Sequence, residues 1–519
     1  MEIIKQVPAL EMRGISKSFG SVRANHDVNF TLDHGEIHAL LGENGSGKST
    51  LMNILSGIYS PDSGMIMING TVRQFHSPKD AISQKIGMVH QHFRLMENML
   101  AWENVQAGTA GAKLDRKKSI ERMVALAEQY QIGFDPGKSV RAMSVGEKQN
   151  VEIMKVLYRG ADILVMDEPT AVLTPQEIEG LFTVLRKMRD DGRSVIFISH
   201  KLNEVAALCD RVTVLRAGEA VGCARVADLR RDNMIEMMVG HKVDLSIDRP
   251  EPQHRPVCLT VDQLTVKDGL GTTKLNQVSF DLAPGEILGV AGLAGSGQKE
   301  LCEAIAGLQS DVEGSIQFDG RDILGHSPRE IIRMGVSMSF IPEDRLGMGL
   351  VPNMDIVENI MLKDYAFHKG PWLQIKTAEK KARQIVDQLD INTAGVGQAV
   401  RKLSGGNIQK VILGREINLN PKLLITAYAV RGLDINSAYT IYDLLNTQKQ
   451  KGVAILYIGE DLDVLLELCD RILVLCQGEV TGIVKAQDVT KEDIGLLMSG
   501  GSPDTVVSNG RAREEEGGQ

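Results

Sequence analysis

Nine consecutive residues, Gly42, Glu43, Asn44, Gly45, Ser46, Gly47, Lys48, Ser49 and Thr50, fit the pattern G-x-x-x-x-G-K-[ST]. The chemistry this spacing serves is the capture of a polyphosphate. Glycines let successive backbone N–H groups turn inward around phosphate oxygens, and the N-terminus of a following helix adds partial positive charge. The Lys48 ammonium is expected to reach the terminal phosphates and the Ser49 hydroxyl to hold Mg²⁺. A second group stands at the end of the apolar run "ILVMDE", residues 163–168. Asp167 is expected to support the Mg²⁺ shell and Glu168 to polarise an attacking water as general base.

Other residues admit two readings each. His200 ends the apolar run "SVIFISH", where it could touch a terminal phosphate, although a single strand-end histidine is commonly structural. Phe19 in "KSFG" could stack on a nucleotide base or fill a core. Gln91 lies in "MVHQHF" between His90 and His92. Two histidines with no third ligand make a poor metal site.

The elements that must position these groups occur twice. "DVNFTLDHGEIHALLGENGSGKS" (27–49) is echoed by "QVSFDLAPGEILGVAGLAGSGQK" (277–299), and "CDRVTVLRAGEAVG" (209–222) by "CDRILVLCQGEVTG" (469–482). The offset is 250 at the first loop glycine and 260 at the later cysteine, so the second copy carries about ten extra residues. Their expected place is 362–376, around "KDYAFHKGPW". In each copy a short apolar run feeds the glycine loop and then a helix, and further continuous apolar runs read as buried parallel strands. Residues 112–131 read as helix, and 241–256, with three prolines in its second half, as the linker.

The two copies are chemically unequal. "LLITAYAVRGLD" (423–434) aligns with "ILVMDEPTAVLT" (163–174), but Ala427 and Tyr428 stand where the acids should be. The second loop has Gln298 for the lysine and Lys299 for the serine.

With 519 residues, more than one domain is expected. A hydrophobic content of 43% and charged content of 24% fit a soluble globular chain, and a net charge of −9 argues against nucleic-acid binding. The six cysteines show no metal-ligand spacing and read as buried thiols of a reducing cytosol. No run approaches the ~18 apolar residues of a membrane span. The N-terminus does not read as a signal peptide.

These motifs, together with "MSVGEKQ" (143–149) and "LSGGNIQ" (403–409), resemble the ATP-binding subunits of ABC transporters over nearly all of residues 9–498. The resemblance implies an α/β fold of two tandem P-loop ATPase domains, at 8–243 and 256–499, followed by a disordered tail at 500–519. Each domain would combine a RecA-like core, an antiparallel β subdomain and a helical signature subdomain. It implies that such domains pair head to tail, each ATP lying between one domain's phosphate loop and the other's serine-glycine signature. Gln91 would then sense the nucleotide and help to hold Mg²⁺, and His200 would be the switch histidine. The intact site would draw on Ser404, Gly405, Gly406 and Asp434 of the second copy, with Asn407 in place of a usual glutamine. The other site would take Gln298, Lys299, Glu343, Ala427, Tyr428 and Glu460, with Val145 and Thr174 from the first copy. Losses confined to one composite site imply a single hydrolytic centre.

A fused pair with "PEDR" and "LSGGN" in its second half is similar to the ATPases of simple-sugar and nucleoside importers. The acid-free second copy resembles the nucleoside branch most, with sugar import the alternative. The partners implied are two transmembrane permeases of different sequence and an extracytoplasmic binding protein. One copy of this chain would serve each transporter, peripheral on the cytoplasmic face of the membrane. The rival resemblance, to soluble tandem ATPases acting on ribosomes, calls for two intact sites and a long charged linker helix. Neither is present here.

Overall fold

In the computed structural model the described residues are 7–502 without 21, 91–92, 110–114, 171–172, 200, 242–245, 253–254, 270, 294, 341–348, 365–372, 432 and 434. The chain divides into two compact units, 1–244 and 245–519.

The first unit is built on the strand Ile37–Leu41, buried along its whole length. It pairs in parallel with Ser194–Ser199 and Arg211–Arg216, and Ser194–Ser199 pairs in parallel with Ile163–Asp167. Ile86–Val89 closes one side, and Glu219–Arg225, antiparallel, closes the other. Such strands are continuous apolar runs because both sheet faces are covered. A separate antiparallel sheet joins Leu10–Phe19, Val22–Leu32, Ser63–Ile68 and Thr71–Arg73. The helices Ala101–Gln106, Arg116–Tyr130 and Val145–Tyr158 follow the strand Ile86–Val89.

The consequence for chemistry is positional. The phosphate loop, the acids and the His200 position all follow the carboxyl ends of three adjacent parallel strands. Ligands of open α/β sheets bind at that edge. The second unit repeats the order: Val336–Phe340, Leu423–Ala427, Ala454–Ile458, Ile287–Gly292, Arg471–Cys476, Glu479–Lys485.

Three expectations need correction. The extra residues of the second copy are not one insertion at 362–376. The bridges Leu100–Ser139 and Asp355–Ala399 are equivalent, and their members are offset by 255 and 260. The edge strands Ile86–Val89 and Val336–Phe340 begin at an offset of 250. Half of the addition therefore precedes the helix Ile356–Asp364, and half follows it. The proline-bearing segment is not a free linker throughout. Asn446 Nδ2 donates to the Asp248 carbonyl at 2.9 Å and Arg249 Nη1 to Cys469 O at 2.5 Å. The buried Lys449 ammonium bonds the Pro250 carbonyl and pairs with Asp470. Finally, all six cysteines are free thiols, but Cys223 is exposed, because it lies on the outermost strand of its sheet.

Of the expected tail, 503–519 lie outside the described residues. No helix among the described residues is long and apolar enough to cross a membrane.

Candidate active site

The loop after Leu41 turns through Gly47, whose φ of 100° is left-handed. A Cβ there would meet the Ala24 carbonyl oxygen at 2.3 Å, so the turn requires glycine. Asn25 Nδ2 braces it by donating to Gly47 O at 3.2 Å. The helix Lys48–Leu55 begins at once. Lys48 is 5% exposed, and its Nζ donates to the carbonyls of Gly42 at 2.7 Å and Glu43 at 2.9 Å. Ser49 is exposed, whereas the buried Ser46 hydroxyl has no hydrogen-bond partner among the described residues.

Charge is concentrated here. Burial lowers the Lys48 ammonium from its ordinary value, against the opposing pull of Glu168, Asp167 and Glu43. Burial and the adjacent Glu168 push the Asp167 carboxyl up to about 6, with Lys48 opposing. An all-oxygen donor set of Asp167 and the Ser49 hydroxyl fits Mg²⁺, a hard cation that keeps several waters. Such an ion would relieve the repulsion that raises Asp167.

Glu168 follows in a left-handed conformation, φ 46°, with its N–H donating to Ile198 O at 3.0 Å. The next turn is held by a residue not singled out in the sequence. The Glu204 carboxylate, 8% exposed, accepts from Thr170 Oγ1 at 2.7 Å and Ser199 Oγ at 3.1 Å, and pairs with Lys201 at 3.2 Å. It ties the acid turn to the strand end before His200. Its only sequence signal is loss in the repeat, where Val430, Gly459 and Val464 replace Thr170, Ser199 and Glu204. Asn25 is lost in the same way, to Leu275.

Phe19 is 44% exposed, so it is not a core residue. Its ring meets Tyr59 edge-on at 5.2 Å, with the Lys17 ammonium 5.7 Å from its centre. Gln91, His200, Glu343 and Asp434 lie outside the described residues.

The second unit keeps the frame without the charges. Gly297 is left-handed at φ 104°. Gln298, 4% exposed, donates from Nε2 to Leu293 O at 3.0 Å, a bond like that of Lys48 to Glu43 but uncharged. The Lys299 ammonium lies 3.8 Å from Glu303 one helical turn on. Burial and Glu460 push the Tyr428 phenol up to about 12, and Arg431 stands 3.6 Å from Glu460.

The signature serines cap helices in both units. Ser144 Oγ accepts from Glu147 N, and the Glu147 carboxylate closes the box by accepting from Ser144 N at 2.8 Å. Ser404 caps Gly405–Ile417, and Asn407 Nδ2 donates to Ser404 Oγ at 2.8 Å, which gives the unusual Asn407 a role.

A glycine loop leading into a helix at the carboxyl edge of parallel strands, present twice, with two strand-end carboxylates in the first copy alone, defines a tandem P-loop nucleotide hydrolase. The sequence profile of the ABC transporter family matches residues 25–171 and 275–426, and the chain belongs to that family. It is 41% identical to a nucleoside import ATP-binding protein of Lactococcus lactis, over 95% of this chain and 98% of that one. It is 40% identical to a glucose import ATP-binding protein of Haloferax volcanii, over 98% of each, and 40% identical to a guanosine import ATP-binding protein of Bacillus subtilis, over 95% and 97%. The activity of the chain is ATP hydrolysis coupled to transport.

Proposed function

We propose that this chain powers nucleoside uptake with one competent ATP site. Glu168 is the general base in this reading, Lys48 and the loop 42–50 hold the phosphates, and Ser49, Asp167 and Gln91 hold Mg²⁺. His200 and Asp434 complete the catalytic set, Phe19 faces the base of ATP, and Ser404, Gly405 and Gly406 of the second signature serve the same nucleotide. The observation that carries the single-site reading is the paired substitution of Lys48 by Gln298 and Glu168 by Tyr428 on otherwise equivalent loops. The chain docks on two permeases of different sequence at the cytoplasmic face of the membrane, one copy per transporter, and an extracytoplasmic protein delivers the ligand.

Two of the relatives named above import nucleosides or guanosine, and the acid-free second copy favours the same branch. The glucose-importing relative is nearly as similar and supports sugar import as the second reading. The experiment is reconstitution with the co-purifying permeases and binding protein in vesicles. ATP-dependent accumulation of guanosine, adenosine or uridine, without ribose or galactose, is the expected result. Uptake of the free sugar alone would replace the substrate and leave the ATPase reading standing.

A further inference from the structure

We propose that Cys223 is a peroxide-reactive thiolate, a modification site formed by His38, Arg211 and Thr213 at the edge of the first unit's core sheet. The cluster spans three adjacent strands, with Cys223 opposite Thr213 and His38 opposite Arg211 in register. Arg211 Nη2 lies 3.5 Å from Cys223 Sγ. His38 is fully buried, its Nε2 2.8 Å from Thr213 Oγ1. Its Nδ1 faces Glu36 Oε1 at 3.6 Å, and both atoms are buried without a hydrogen-bond partner among the described residues. A proton on Nδ1 would place a donor between them and make His38 the cation that a neighbouring thiolate needs. The charged group in contact with the thiol is Arg211, with Glu36 and Asp33 pairing with it, and His38 reaches the edge through Thr213, which lies opposite Cys223.

The repeat supplies an internal comparison. Glu286 and Arg471 preserve the Glu36–Arg211 pair at 2.7 Å. Yet Leu288, Leu473 and Ile483 stand where His38, Thr213 and Cys223 stand. The fold at this edge closes with three apolar residues, so the polar trio of the first unit is not needed for packing.

Electrostatics agrees with the geometry. The His38 interaction, against burial and together with Arg211 and Thr213, brings the Cys223 thiol down to about 6. Burial alone would lower the His38 imidazole, but Cys223 and Glu36 raise it. The other five thiols are all raised by burial, four of them in the core. Reactive cysteines combine thiolate character with exposure, and among these six only Cys223 has both.

The step is balanced with hydrogen peroxide as oxidant. The Cys223 thiol releases its proton to solvent. The thiolate attacks one peroxide oxygen, an S–O bond forms and the O–O bond breaks. The departing hydroxide takes a proton from solvent and leaves as water. Sulfur is oxidised to the sulfenic acid by two electrons, and the peroxide is reduced.

The test uses the purified full chain. It is treated with limiting peroxide at neutral pH beside a dimedone-type trap and mapped by mass spectrometry. In parallel, iodoacetamide alkylation of Cys223 is followed against pH. The expected results are a trapped adduct on Cys223 and on none of the other cysteines, and an alkylation midpoint near 6. In His38→Leu, which installs the residue the second unit carries, the midpoint moves up by more than one unit toward the ~8.5 of a free thiol. Absence of the Cys223 adduct, a wild-type midpoint near that of a free thiol, or an unmoved midpoint in folded His38→Leu would each overturn the proposal. The wild-type measurements decide it even if the variant does not fold.

Discussion

Glu168 and Tyr428 occupy one backbone position in the two units. Both are left-handed, at φ 46° and 57°, and each donates its N–H to the neighbouring strand, to Ile198 O at 3.0 Å and Ile458 O at 2.9 Å. A non-glycine residue in that region costs about 1–2 kcal/mol. The second unit therefore keeps the strained turn of a nucleotide site while presenting a phenol in place of a base. The difference between the units is one of side-chain chemistry on a shared backbone.

That difference predicts one hydrolytic centre. Glu168→Gln removes the base without changing shape, and Lys48→Ala removes the buried ammonium that bonds the Gly42 and Glu43 carbonyls. Each should reduce phosphate release by the assembled complex by ~10²–10⁴-fold. Gln298→Ala and Tyr428→Phe should leave most of it. Substantial turnover in Glu168→Gln would contradict the assignment.

Asp167 links the site to pH and stability. Its folded value, about 6, is raised above the ordinary ~3.9 of an unfolded aspartate. The ionised form is thus the disfavoured one in the fold. The destabilisation is fully present above about pH 6 and disappears below the unfolded value. Asp167→Asn should stabilise the Mg²⁺-free protein by about 1–3 kcal/mol at neutral pH. The gain should shrink to nothing on acidification, as read from denaturant melts, while turnover is lost. A pH-independent gain would show that the carboxylate charge is not its cause.

Glu204 should act as a positioning residue. Glu204→Ala leaves the buried Thr170 and Ser199 hydroxyls without their acceptor, a loss of about 1–3 kcal/mol in stability. It should also lower kcat more than it raises KM, because the turn after Glu168 loses its tie to the His200 strand. The readouts are a thermal melt and steady-state kinetics. A change in the melt with unaltered kcat would make the role structural alone.

The parts of this molecule that were legible in the sequence are those where one residue type has one physical reason. Gly47 needs its left-handed turn, the run before Asp167 needs two covered faces, and the repeat exposes the missing acids directly. Groups that act only through three-dimensional neighbours were not legible. Glu204 and Asn25 carry no spacing signal. Cys223 and His38 are 185 residues apart in the chain and come to one sheet edge only through the strand order. The division of the extra residues around Ile356–Asp364 was hidden because an offset measured at two distant motifs cannot say where between them it accrued.

The two signature serines offer a controlled comparison. Both are helix N-caps whose hydroxyl accepts from the third residue on, Glu147 N and Asn407 N. Replacing either loses a cap of about 1 kcal/mol, and replacing Ser404 also loses the bond from Asn407 Nδ2. Their chemistry should not match. The family resemblance assigns Ser404, ahead of the bare Gly405 and Gly406, to the nucleotide of the Lys48 loop, and Ser144, ahead of Val145, to that of the Gln298 loop. Ser404→Arg sets a bulky cation where the terminal phosphate must seat and should cut turnover by about 10²-fold or more, the scale of losing an oriented donor. Ser144→Arg should be far milder. Phosphate release is measured for both at a temperature where melts show each variant folded. Equal loss of turnover in the two folded variants would overturn the assignment of the two signatures.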